Sequence, residues 1–136
     1  MKRTARVALA TLIVAAASVA HAQGSGISRT EVLKEDVSVP GRQAVVARVE
    51  VPPSAVLGWH THFGDEISYV TTGDLTLMVA GRPQQTVHAG GAFVVPAGIA
   101  HSVRNDGTTP VELVTVHVVE KGKPLATPAS APVATQ

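Results

Sequence analysis

The chain has 136 residues, no cysteine, 45% hydrophobic and 15% charged residues, and a formal net charge of +1. Without cysteine there is no disulfide framework, and no cysteine at a cleavage point to carry a lipid anchor. The positive balance is confined to the start: Lys2, Arg3 and Arg6 are three of the eleven Lys+Arg, and the residues after 22 hold eight against ten Asp+Glu, a net −2 with no basic patch for nucleic acid.

The chain opens "MKRTARVALATLIVAAASVAHAQG". A basic start, an apolar run over Val7 to Ala20 and the small-x-small site Ala20-His21-Ala22 form the layout of a secretory signal peptide, cut before Gln23. The run is too short and too alanine-rich for a membrane span. The expected product is a soluble periplasmic or secreted protein of one modest domain, held together by burial alone.

"QGSGISRT" reads as a flexible lead-in within residues 23–39, which also hold the first strand. "QAVVARVEV" (43–51) alternates as a half-buried strand does. "EISYVTT" follows, then Gly73-Asp74 turns the chain into "LTLMVA", and Gly81-Arg82-Pro83 turns it into "QQTV". "AFVVP" comes after Gly90-Gly91, and "VELVTVHVV" (111–119) is the longest β-branched run. Short strands at regular spacing, with no amphipathic helix after the signal, indicate an all-β barrel or sandwich. The tail over 121–136, "KGKPLATPASAPVATQ", is Pro/Ala/Thr-rich and reads as disordered.

Chemistry concentrates in two stretches. In "GWHTHFGDEISYVTTG", His60 and His62 are two apart and project to one face of a strand, and the Phe63-Gly64-Asp65 bend returns Glu66 to the same side. Two imidazoles and a carboxylate suit a divalent cation but leave its coordination incomplete. The second stretch, "GGAFVVPAGIAHSVRN", places Gly90, Pro96, Gly98, His101 and Asn105 at G-x5-P-x-G-x2-H-x3-N.

Together the two stretches resemble the paired motifs of the cupin superfamily, the first being H-x-H-x3-E-x6-G at His60, His62, Glu66 and Gly73. One position departs: the family often has glycine six residues before the first histidine, where this chain has Ser54. Residues 74–89 between the motifs suffice for one bare hairpin, as in small single-domain bacterial members. The resemblance covers about 40–120 and implies an all-β, jelly-roll β-barrel holding one metal on His60, His62, Glu66 and His101. Imidazole and carboxylate suit Mn, Fe, Ni, Cu or Zn, and an octahedral ion would keep two open positions.

Other residues carry weaker readings. His117 reads as a structural histidine packed between sheets, with a cavity-facing catalytic one as the alternative, and His88 as exposed, while Arg48 and Glu50 read as a solvated cross-strand pair, with Arg48 as carboxylate clamp the minority alternative. Ser68 shares the face of Glu66, whereas Trp59 and Tyr69 point away, and Asn105 orders the turn before Gly107. No nucleophile elbow, phosphate loop or second paired carboxylate is present, so any chemistry runs through the metal. The resemblance implies a metal-dependent enzyme of dioxygenase, lyase or isomerase type acting on a small organic molecule, with oxygenase preferred; a non-catalytic metal- or ligand-binding barrel and a vestigial structural barrel stay open. Apolar outer faces at 67–70 and 111–119 suggest a homodimer.

Overall fold

In stretches such as 43–51, 64–70 and 111–119 buried side chains recur at every second position, and this period builds strands whose alternate side chains meet in one interior. A computed structural model describes residues 26–133. The expected signal peptide, residues 1–22, lies outside the described residues.

Ten strands follow in order: β1 (Ser28–Asp36), β2 (Arg42–Val51), β3 (Val56–Thr61), β4 (Gly64–Thr72), β5 (Asp74–Val79), β6 (Gln85–His88), β7 (Ala92–Val95), β8 (His101–Arg104), β9 (Val111–Glu120) and β10 (Thr127–Pro128). Among the described residues there is no helix. One sheet runs β1-β2-β9-β4-β7 and the other β10-β3-β8-β5-β6, with antiparallel pairing throughout. This is the all-β jelly roll the sequence implied.

The barrel interior is divided by chemistry. Val51, Val70, Leu75, Leu77, Val79, Val87, Phe93, Val95, Val103, Val111 and Leu113 form a buried apolar cluster. Along β9 the buried positions run Val111, Leu113, Thr115, His117 and Val119, so the inner face passes from apolar to polar at Thr115 and His117 before one last valine. Thr115 pairs with Ser68 and His117 with Glu66 across β4, which carries the same gradient. An apolar floor thus holds rigid the strands that present a polar end.

Two turns explain themselves. Ser54 takes φ 63°, the one positive φ outside glycine among the described residues, at the position where the family often has glycine. Asn105 holds the loop before it: Nδ2 donates to the carbonyls of Val51 and Thr109, its backbone carbonyl accepts from Ser54 N–H, and Oδ1 accepts from Gly107 N–H. The expected turn-ordering role of Asn105 is met.

Two expectations need correction. β1 begins at Ser28, and Ser28, Arg29 and Thr30 pair with Glu50, Val49 and Arg48, so the second half of the supposed lead-in is strand. The tail read as disordered over 121–136 is instead laid against the barrel where it is described: Thr127 and Pro128 pair with Thr61 and His60, and Ala129 N–H donates to the Trp59 carbonyl. The free edge of β3 supplies backbone partners, which the tail's composition does not reveal. Arg48 is exposed on the outer face, beside Glu50 and Glu112, as its solvated reading has it, and the clamp alternative falls.

Candidate metal centre

His60 comes from β3, His62 from the residue just past it, Glu66 from β4 and His101 from the first position of β8. His60 and His101 are paired across β3 and β8, which brings the two motifs together. Gly64 makes the bend possible: a Cβ there would stand 1.9 Å from the Val118 carbonyl oxygen and 2.6 Å from Val119 Cα. All four side chains are buried, and their candidate donor atoms lie within 4.8 Å of one another.

Each histidine is oriented from behind. Nδ1 of His60 meets the Gly58 carbonyl at 2.8 Å, that of His62 the Leu125 carbonyl at 2.5 Å, and that of His101 the Ile99 carbonyl at 3.1 Å. A carbonyl only accepts, so each Nδ1 carries the hydrogen and, in the neutral ring, each Nε2 carries a lone pair. Such backing is what metal-bound imidazoles need. Glu66 is fixed in the same way, since the Ser68 hydroxyl donates to Oε1 at 2.6 Å and leaves Oε2 turned to the histidines. Ser68 thereby takes the supporting role its strand position suggested.

The electrostatics then test the fit. His62 Nε2 and His101 Nε2 both approach Glu66 Oε2 at 3.0 Å. With Nδ1 protonated, those contacts set lone pairs against a carboxylate oxygen, and only positive charge among them, as protons or as one cation, makes them attractive. Burial lowers His60 to about 4, with His101 adding to the effect, so at neutral pH its imidazole is neutral and its Nε2 free to ligate. Burial alone would raise Glu66, but contacts to His101, His117 and His62 outweigh it and hold the carboxyl well below its ordinary range. Three imidazoles backed at Nδ1 and one carboxylate fit a divalent transition ion.

Sequence reasoning left one feature open here and missed another. His117 is 3% exposed and its Nε2 lies 3.4 Å from Glu66 Oε2, so this histidine belongs to the polar end and is no remote packing residue. Its Nδ1 is buried without a hydrogen-bond partner. The signal was available in the β9 alternation, which puts His117 on the face of Thr115, but apolar residues on both faces masked it. Arg29 was hidden inside the lead-in: its guanidinium reaches the same interior and donates to Thr115 Oγ1 at 3.3 Å.

Residues 47–117, more than half of the chain, match the family described as Cupin domain. The chain belongs to the cupin family. An oxalate-binding protein of Thermotoga maritima is 31% identical over 74 residues, 54% of this cupin and 60% of that protein, so this chain spans less than two thirds of its relative. A cupin-like protein of Thermotoga maritima superposes with TM-score 0.64 at 19% identity, over 82% of this chain and 86% of its own. A polyketide cyclase of Streptomyces resistomycificus gives TM-score 0.64 at 19% identity, over 84% and 78%. At such identities the two structures speak for the fold alone. Within this cupin, a buried cluster able to bind one metal ion is formed by His60, His62, Glu66 and His101, the set the sequence implied.

Proposed function

We propose that this cupin is an exported, metal-dependent enzyme that transforms a small organic molecule at the polar end of its barrel, with oxygenase chemistry as the leading form. The observation that carries it is the set of three histidines whose Nδ1 atoms are tied to backbone carbonyls while their Nε2 atoms converge with Glu66 Oε2. A metal held there supplies Lewis acidity and exchangeable positions beside its protein ligands.

The remaining chemistry falls to the chain's own groups. Ser68 holds Glu66 Oε1, which leaves Oε2 as the oxygen that would hold a metal. His117 is the imidazole outside the four-ligand set. Burial lowers its pKa despite the Glu66 contact, so it is neutral at pH 7 and able to accept a proton at its unpartnered Nδ1. The apolar floor below Thr115 and Ser68 keeps bulk water from that side.

Export rests on the order of charge, apolar run and small-x-small site at residues 2–22. Dimerisation is part of the same proposal. Ile67, Tyr69 and Val94 are 46, 49 and 51% exposed on the outer faces of β4 and β7, where Ile67 and Val94 pair in register. Such a patch is covered in a stable assembly.

A second reading is a non-catalytic ligand-binding barrel, favoured by the oxalate-binding relative. The deciding experiment is metal analysis of the exported protein by mass spectrometry, beside His101→Ala, followed by turnover assays after chelation and metal return. Near-stoichiometric metal, lost in His101→Ala, with turnover that follows the metal, supports the enzyme. Metal and ligand-dependent stabilisation without turnover supports the binding barrel. No metal in either protein, with the barrel still folded, defeats the metalloenzyme and leaves the ligand-binding barrel.

A further inference from the structure

Arg29 on β1 pairs with Val49 on β2, and Val49 has Ala47 and Val51 as its neighbours on the inner face. Arg29 therefore points inward. Ala47 pairs in turn with Thr115 on β9, and Thr115 with Ser68 on β4. Ala47 has only a methyl group, so the row Ala47–Thr115–Ser68 is low enough for an arginine side chain to cross β2 and reach β9. Nη1 makes that reach, donating to Thr115 Oγ1 at 3.3 Å.

The guanidinium arrives with more donors than it uses. Nη2 is buried and has no hydrogen-bond partner among the described residues. A guanidinium carries five N–H donors in a planar fork and keeps its charge at any physiological pH. Its field reaches the centre, for Glu66 and His117 both feel it. Charged groups are not left half-paired inside proteins without cost. Glu66 is not its partner: no hydrogen bond joins the two, and the carboxylate is held instead by Ser68 at Oε1 and turned to the histidines at Oε2. The second orphaned atom of the described residues, His117 Nδ1, lies on the same inner face of β9, two residues beyond Thr115.

We infer that the barrel takes a small carboxylate anion, whose carboxylate is received by Arg29 Nη2 and Thr115 Oγ1 beside the metal centre. The inference rests on the functional reading above and narrows its substrate from any small organic molecule to an organic acid. A planar fork with a free N–H matches a carboxylate's two oxygens, and a buried positive charge rejects a neutral isostere. Arg29 is then a specificity residue, contributed by the strand that lies outside the matched family segment of 47–117.

The test titrates pyruvate and neutral pyruvamide calorimetrically into the full chain, both metal-loaded and chelated, with metal stoichiometry measured before and after. Wild type is expected to prefer pyruvate by tenfold or more. Arg29→Met should weaken pyruvate at least tenfold, leave pyruvamide unchanged and keep the wild-type metal content. Arg29→Lys, which keeps the charge but loses the fork, should fall between and also serves if Arg29→Met fails to fold. Equal pyruvate affinity in either folded variant and wild type, no preference over pyruvamide, or no pyruvate binding by wild type at millimolar concentration overturns the inference. The metal stoichiometry judges the functional reading separately, because the pyruvate preference is measured on the chelated protein too.

Discussion

His62 Nδ1 is bonded to the carbonyl of Leu125, 63 residues farther along the chain. The other two ligand histidines are backed by carbonyls only two residues away, Gly58 for His60 and Ile99 for His101. The centre is thus completed by the segment that leads into β10, after the second motif has ended. Removing residues 125–136 is expected to leave the barrel folded and to weaken metal binding by about 10–100-fold, the usual loss when such backing is removed. Competition against a chelator of known affinity measures it. Unchanged affinity in the truncated protein would show that His62 needs no anchor.

Acid should unfold the metal-free protein through the centre itself. Burial holds His60 near 4 against an ordinary 6.5, and His117 and Glu66 are lowered as well. Each depressed value means that the unfolded chain binds the proton more readily, so stability rises with pH across the interval. The His60 contribution is whole above pH 6.5 and drains as pH falls toward 4, amounting to roughly 3 kcal/mol. Denaturant midpoints of the chelated protein should be level above about pH 7 and drop steadily below it. With metal bound, the drop should begin at lower pH, because the ion holds the ligands deprotonated. A midpoint that stays flat from pH 7 to 5 would contradict the assignment.

The outer face of β4 and β7 offers a third check. Ile67 and Val94 pair in register and are both about half exposed, with Tyr69 beside them. Ile67→Glu puts charge in the middle of that patch without touching the interior, where Glu66 and Ser68 point. The wild type is expected to run as a dimer in light scattering and the variant as a monomer with unchanged metal content. A wild-type monomer at all concentrations removes the dimer from the proposal.

Much of this was legible before any coordinates. Strand positions from Gln43 to Val119 follow from alternation and from the Gly, Pro and Asn punctuation, because period two and turn chemistry are local properties. The four ligands were legible through two motifs whose spacing matches a known barrel. What stayed hidden depends on long-range pairing. Arg29 sits in "GSGISRT", where nothing local says that Arg29 meets Val49. Leu125 acts through a backbone carbonyl, which no side chain advertises. His117 was obscured because Val114, Val116 and Val118 make the outer face of β9 as apolar as the inner one.

Glycines at the centre separate what the fold demands from what it tolerates. A Cβ on Gly64 would meet the Val118 carbonyl oxygen at 1.9 Å and Val119 Cα at 2.6 Å, both backbone atoms of the strand it pairs with. Gly64→Ala must push β4 off β9 and displace Glu66, two residues on, so a loss of about 3 kcal/mol or more is expected, with metal lost alongside. Gly58 is the control: its φ is not positive and a Cβ there meets nothing within 4 Å, while its carbonyl still accepts from His60. Gly58→Ala should therefore be neutral or stabilise by about 0.4–1 kcal/mol through the unfolded chain, with metal content kept. Ser54→Gly should likewise stabilise by about 1 kcal/mol, since Ser54 pays for φ 63° with a side chain that glycine lacks. Chemical denaturation of the three variants beside wild type decides it: a Gly64→Ala protein as stable as Gly58→Ala would mean that the close approach of β4 to β9 does not hold Glu66 in place.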